Sequence, residues 1–202
     1  MNVNVDAMKT AIGAFRKEHK CKRVFLPDDE GFAQKYFSFR RSALSRFGGE
    51  EAGEALSLKD DILWSEGDKP KTVEISKSDV IAVFDNTKIG FFGNVAKSEC
   101  DLGALVTTKG FVTLNDHTEG LPDPSGFLAW RAFLVGNQAG LEYGVGANVY
   151  LYTDSDEKDG YPKGPGKAFH FGQSKLEDSD LYPLLRELKA IVKRTLGENI
   201  ES

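Results

Sequence analysis

Apolar positions are spaced in two different ways along the chain. Up to about residue 49 they recur every three or four residues, the period of a helix. From residue 79 to about 171 they come in short runs bounded by Gly, Asn, Asp or Pro, as strands and turns do. Near the C-terminus the helical period returns. Met8, Ile12 and Phe15 give a first helix, roughly 6–20, one apolar side, and Asn4 or Asp6 is placed to cap it. Val24-Phe25-Leu26 is a short apolar run closed by Pro27. A second helix is expected over about 29–47, with Gly48-Gly49 as its stop. At about 100° per residue, Phe32, Tyr36, Phe39, Ala43 and Phe47 fall on one arc, and Phe37 and Leu44 widen it. Arg40 falls inside that arc, which calls for a snorkelled stem, a buried carboxylate partner or a bound ligand.

The stretch 50–76 is acidic, then turn-rich. Leu56, Leu58, Ile62, Leu63 and Trp64 suit a short helix or an edge strand, and Val73 and Ile75 alternate with Thr72 and Glu74 as a half-exposed strand does. Strands are expected over 80–85, 104–108, 111–114, 126–135, 141–145, 148–153 and 168–171, with Lys109-Gly110 turning the hairpin 104–114. The polar, Gly- and Pro-rich stretch 154–167 reads as a mobile loop. A last helix, about 179–196, carries Leu181, Leu184, Leu185, Leu188, Ile191, Val192 and Leu196 on one side, so it must pack on something apolar.

Composition adds a division of charge. The 202 residues carry a net charge of −5, but residues 1–49 hold ten Lys/Arg against five Asp/Glu, a balance of +5 that leaves −10 for the rest. The expected organisation is a helical N-terminal region and connector, 1–78, followed by a β domain, 79–202. The acidic balance makes nucleic acid an unexpected partner. No apolar run approaches the ~20 residues of a spanning helix, so no integral membrane segment is expected. The N-terminal residues lack the basic stretch and apolar core of a secretory signal. Cys21 and Cys100 show no metal-ligand spacing; two thiols in a reducing cytoplasm is the expectation, with a disulfide between them as the alternative.

Candidate chemistry is sparse. His19, His117 and His170 stand far apart, and the chain contains no HExxH, C-x-x-C, P-loop or dinucleotide fingerprint, so neither metal nor cofactor is expected. Asp116-His117 lies in a polar turn. Asp85 is placed to cap the turn at Asn86-Thr87 through its side-chain oxygens. Tyr182, Arg186, Lys189 and Lys193 follow helical spacing beside the leucine side of the last helix and form a candidate contact strip, with Arg40 as a further candidate. No catalytic residue is assigned.

Seven short strands followed by one amphipathic helix is an order that resembles bacterial pleckstrin-homology-like domains, over about 79–196. The residues that carry the resemblance are an apolar strand ending in Asp85-Asn86-Thr87, a Gly-led strand over 103–108 with its Lys109-Gly110 turn, and Phe127-Leu128-Ala129-Trp130. The resemblance implies an α+β fold in which N-terminal helices precede an antiparallel β-barrel closed by the C-terminal helix. It also implies a scaffold for protein or membrane contacts or for self-assembly. A phosphoinositide pocket is not expected, because Lys88 is the single base between Val80 and Asn94. The expected function is a non-enzymatic binding or assembly module whose partner is another protein or a second copy. The alternative is an enzyme of unrecognised class with acid/base residues near Asp85 or His117.

Overall fold

Helix α1 (Val5–Glu18) starts where the Asn4 side-chain oxygen accepts the Ala7 N–H at 3.0 Å. A computed structural model describes residues 3–48, 55–59, 72–87, 100–114, 125–130, 133, 139–142, 148–151, 157–158, 161–162, 169–170 and 178–195. After α1 come β1 (Val24–Phe25), α2 (Phe32–Phe47), β2 (Leu56–Lys59) and β3 (Thr72–Ile75). A 3₁₀ turn over Lys77–Asp79 leads into β4 (Val80–Asp85), β5 (Gly103–Thr107), β6 (Gly110–Leu114) and β7 (Gly126–Ala129). Then follow β8 (Ala139–Glu142), β9 (Asn148–Leu151), β10 (Glu157–Lys158), β11 (Tyr161–Pro162), β12 (Phe169–His170) and α3 (Asp178–Thr195). Helix α2 ends at Gly48, whose positive φ of 73° favours glycine and whose N–H reaches the Leu44 carbonyl.

The centre is a five-stranded antiparallel sheet in the order β1-β4-β5-β6-β7. Its strands show almost unbroken burial instead of a buried/exposed alternation. The reason is that both faces are covered. On one face α1 and α3 pack against Ile81, Ala82, Phe84, Ala104, Val106, Phe111 and Leu128. On the other, α2 and the β2–β3 pair pack against Val80, Val83, Leu105, Val112, Leu114 and Phe127. Ile81 and Ala82 are neighbours in sequence yet share a face, because the β4–β5 register shifts between Val80 and Ala82 as at a bulge. The N-terminal stretch is thus built into the sheet: it supplies an edge strand and a helix to each face.

Trp130 and the leucine side of α3 share one core. The strand that precedes Trp130 stops at Ala129, so the tryptophan follows the end of β7 and does not stand mid-strand as expected. That position lets its indole N–H donate to the Thr107 carbonyl at 2.9 Å while its ring meets Phe111 edge-on, centroids 4.5 Å apart. The β5–β6 turn falls at Thr108-Lys109, one residue earlier than expected. Thr107 Oγ1 accepts the N–H groups of Lys109 and Gly110 there. Gly110 then opens β6, where an added Cβ would lie 2.1 Å from the Leu128 carbonyl oxygen.

The barrel expected from the resemblance does not close among the described residues. The remaining strands form separate sheets: β12-β9-β8, β2-β3, and β10-β11 within the stretch expected to be loop. Helix α3 lies across a sheet face beside α1 and also touches β8 and β9, so it is a layer of the fold and not the plug of a barrel end. The architecture is mixed α+β, with three helices and antiparallel sheets among the described elements. None of the described helices is long and apolar enough to cross a membrane.

Candidate functional site

The buried sector of α2 is Phe32, Lys35, Tyr36, Ser38, Phe39, Ala43 and Leu44. It extends past Phe32 and Phe39 toward Lys35 and Ser38. Phe37, expected on the apolar arc, instead points outward and is 38% exposed. The polar members are accepted inside because partners wait for them. Lys35, 7% exposed, donates from Nζ to Asp85 Oδ2 at 2.7 Å. Ser38 Oγ accepts the Cys100 N–H at 2.7 Å.

Asp85 itself is 3% exposed, at the end of β4. Its Oδ1 accepts the Thr87 N–H at 3.0 Å, the turn cap expected from the sequence, and Arg23 Nη2 at 3.1 Å. Arg23 also donates to the Thr87 carbonyl, and the Arg23 carbonyl accepts the Asp85 N–H. One carboxylate therefore ties β1, α2, β4 and the turn after β4 together. Burial pushes its carboxyl up, but hydrogen bonds from Lys35 and Thr87, with the Arg23 charge, carry it below its ordinary value of 3.8. Asp85 is ionised at neutral pH and both oxygens are engaged. Chemically that makes it a tether, not a group poised to give or take a proton. Beside it, burial and then the Asp85 charge push the Cys100 thiol up, so it stays protonated. Cys21 and Cys100 are both thiols, so the alternative of a disulfide between them is not realised.

Three other features lie on or beside α2 and α3. Arg40, half-buried, donates from Nε to the Ala55 carbonyl at 3.2 Å, linking α2 to the entry of β2. Its neighbour on the inner side of the helix, Lys35, holds the buried carboxylate of Asp85. On α3, Arg186 and Lys193 are exposed, as their spacing predicts. Lys189 is drawn inward, with Nζ 5.4 Å from the centroid of the Phe133 ring, and burial followed by the Lys193 charge lowers its pKa. The Tyr182 side chain lies outside the described residues. Third, the outer side of α2 carries an open groove of about 410 Å³, lined by Arg41, Ser42, Ser45, Arg46, Asp101 and Leu114, in which Ser42 Oγ donates to Asp101.

Lys88, Asp116 and His117 lie outside the described residues, as does the His170 side chain. His19 closes α1 with its ring 4.8 Å from that of Phe15. Among the described residues no three His, Cys, Asp or Glu side chains stand together as a metal cluster would. Lys35 and Arg23 are the members of the charged cluster that sequence reasoning missed as partners of Asp85. Lys35 has one legible signal: it stands three residues after Phe32 and four before Phe39, on the same helical side. The chain matches no protein-family model, no curated protein and no solved structure.

Proposed function

We propose that the chain is a non-enzymatic binding or assembly module on a pleckstrin-homology-like plan, acting through protein–protein contacts or self-association. The plan is supported by the order of the strands after residue 79. A four-strand meander, β4 to β7, is followed by the three-stranded sheet β8-β9-β12 and then by one amphipathic helix. The observation that carries the functional reading is the mounting of α3. Its leucine side is fixed in the core while Arg186 and Lys193 stand in solvent, so the helix presents cations on a rigid support. The engaged oxygens of Asp85 speak for the same reading, because they give the buried charge an architectural task.

The test is sedimentation velocity over a range of protein concentrations and salt, for the parent chain and for Arg186→Glu/Lys193→Glu. Self-association that is salt-sensitive and weakened about tenfold by the reversal supports the proposal. A chain that stays monomeric at every concentration, parent and variant alike, removes self-association through α3.

A further inference from the structure

Among the described residues Phe37 is the large apolar side chain left exposed. It does not stand alone. Lys77 places its Nζ 5.6 Å from the Phe37 ring centroid, and Arg41, also exposed, follows Phe37 by one helical turn on the same side of α2. Ser45 continues that line. Arg41 and Ser45, with Ser42, Arg46, Asp101 and Leu114, line the open groove. The outer side of α2 thus sets one aromatic ring, with a lysine over it, one helical turn before the Arg41 that lines the groove with Ser45.

From this arrangement we infer that the outer side of α2 is a docking groove for an acidic protein segment that carries an apolar residue beside its carboxylates. This deepens the binding-module reading and rests on it. The groups match that ligand in kind. The exposed Arg41 guanidinium takes a carboxylate in bidentate fashion, the Ser45 hydroxyl donates to the same oxygens, and Phe37 offers a ring for an apolar side chain. A long polyanion fits less well. Residues beyond 49 carry −10, and Asp101 stands in the groove wall, so a nucleic acid or an anionic membrane meets repulsion around the basic groove. A short acidic segment meets the same Asp101, but against it stand the two groove arginines, and screening to about 8 Å at physiological salt keeps the remaining acidic surface from reaching it.

The probe is a fluorescein-labelled peptide of glutamates flanking one phenylalanine, with a lysine-for-glutamate counterpart, titrated by anisotropy against the full chain. Saturable, salt-sensitive binding of the acidic peptide alone is expected. Arg41→Glu should weaken it at least about tenfold and Phe37→Ala about threefold, both positions being exposed and their variants therefore foldable. Arg41→Lys, which keeps the charge but loses the fork, should fall between the parent and Arg41→Glu. Lys17→Glu, exposed on the helix that covers the opposite sheet face, should bind the peptide as the parent does. A flat titration, binding unmoved by Arg41→Glu, or equal binding of phosphatidylserine vesicles or a single-stranded oligonucleotide overturns the groove assignment. So does loss of self-association on Arg41→Glu, which gives the groove to a second copy. If the α3 reversal abolishes self-association while the peptide titration is flat, the groove falls and the module reading stands. Peptide binding at α2 in a chain that the α3 reversal leaves unchanged removes α3 as the contact surface and supports the groove.

Discussion

Two lysines show how burial assigns opposite tasks to one residue type. Lys35 is enclosed and holds Asp85 at 2.7 Å, whereas Lys109, more open, reaches Asp79 at 2.9 Å on the rim of the β5–β6 turn. A buried pair is costly to break, because one removed partner leaves the other charge stranded. Asp85→Asn should therefore lose about 3–5 kcal/mol in a urea titration at neutral pH. Replacing both members with apolar residues, Lys35→Met with Asp85→Leu, should recover part of that loss, since the buried lysine is no longer stranded while the Thr87 N–H still lacks its acceptor. Arg23, with its side chain 37% exposed, is solvated enough that Arg23→Ala should cost about 1 kcal/mol or less. Acid should act on the same groups. Burial raises Asp79 as it raises Asp85, but hydrogen bonds from Ser76, Lys109 and Thr108 bring it below 3.8 in the folded chain. Folded values below unfolded ones give stability that is complete above the unfolded value and is lost as pH falls through the folded one. Thermal melts should be flat from neutral pH down to about 5 and fall steeply below about 4. In Asp85→Asn the acid limb should be shallower. A variant that loses stability in parallel with the parent would show that Asp85 is not the titrating tether.

At the scale of elements, what the sequence reveals depends on whether one helix or strand carries its own signal. The last helix does: seven aliphatic side chains at helical spacing leave one solution, and α3, Asp178–Thr195, carries six of them, Leu196 lying outside the described residues. The strands β4, β5 and β6 are equally legible as short apolar runs. The pairing of layers is not legible. A strand buried on both faces looks the same in sequence whether a second sheet or a helix covers it, so the apolar run 80–84 fits a barrel wall or a sandwiched sheet equally. Phe37 was misplaced for a related reason. A helical arc can be widened in either direction, and only the partners Asp85 and Cys100 show that Lys35 and Ser38 lie on the inner side. The contact strip on α3 was legible as spacing, but the withdrawal of Lys189 depends on Phe133, which is remote in sequence. Two substitutions test the layer assignment. Leu188→Ala should cost about 2–5 kcal/mol, the range for truncating a fully buried leucine. A change below about half a kcal/mol would place α3 off the sheet. Gly110→Ala should be disproportionately harmful for so small an addition, because its Cβ would meet the Leu128 carbonyl oxygen and separate β6 from β7. A melting temperature within a degree of the parent's would show that the strands accommodate it.

The whole molecule is a sheet with a different cover on each side, and the N-terminal 48 residues contribute to both covers. Met8, Ile12 and Phe15 lie against the β4, β5 and β6 face, and Phe32, Tyr36 and Phe39 against the other. Val24 and Phe25 pair with Phe84 and Val83, which hides the outer edge of β4. Arg16 and Asp29 form an ion pair between α1 and the turn before α2, so the two helices are also tied to each other. Removal of residues 1–49 should then do three things at once: bare one sheet edge, uncover part of each face, and leave Asp85 buried without Lys35 and Arg23. The fragment 50–202 should show no cooperative melt, bind a hydrophobic dye, and sediment as aggregates where the full chain does not. Its charge of −10 would by itself favour solubility, so aggregation could not be assigned to lost repulsion. Restoring residues 1–49 as a separate polypeptide should suppress the dye signal if the two pieces reassemble the layers. A fragment that melts with the parent's midpoint, remains monomeric and takes up no dye would mean that the sheet is complete without its N-terminal covers, contrary to the packing of Tyr36 and Phe39 at zero exposure.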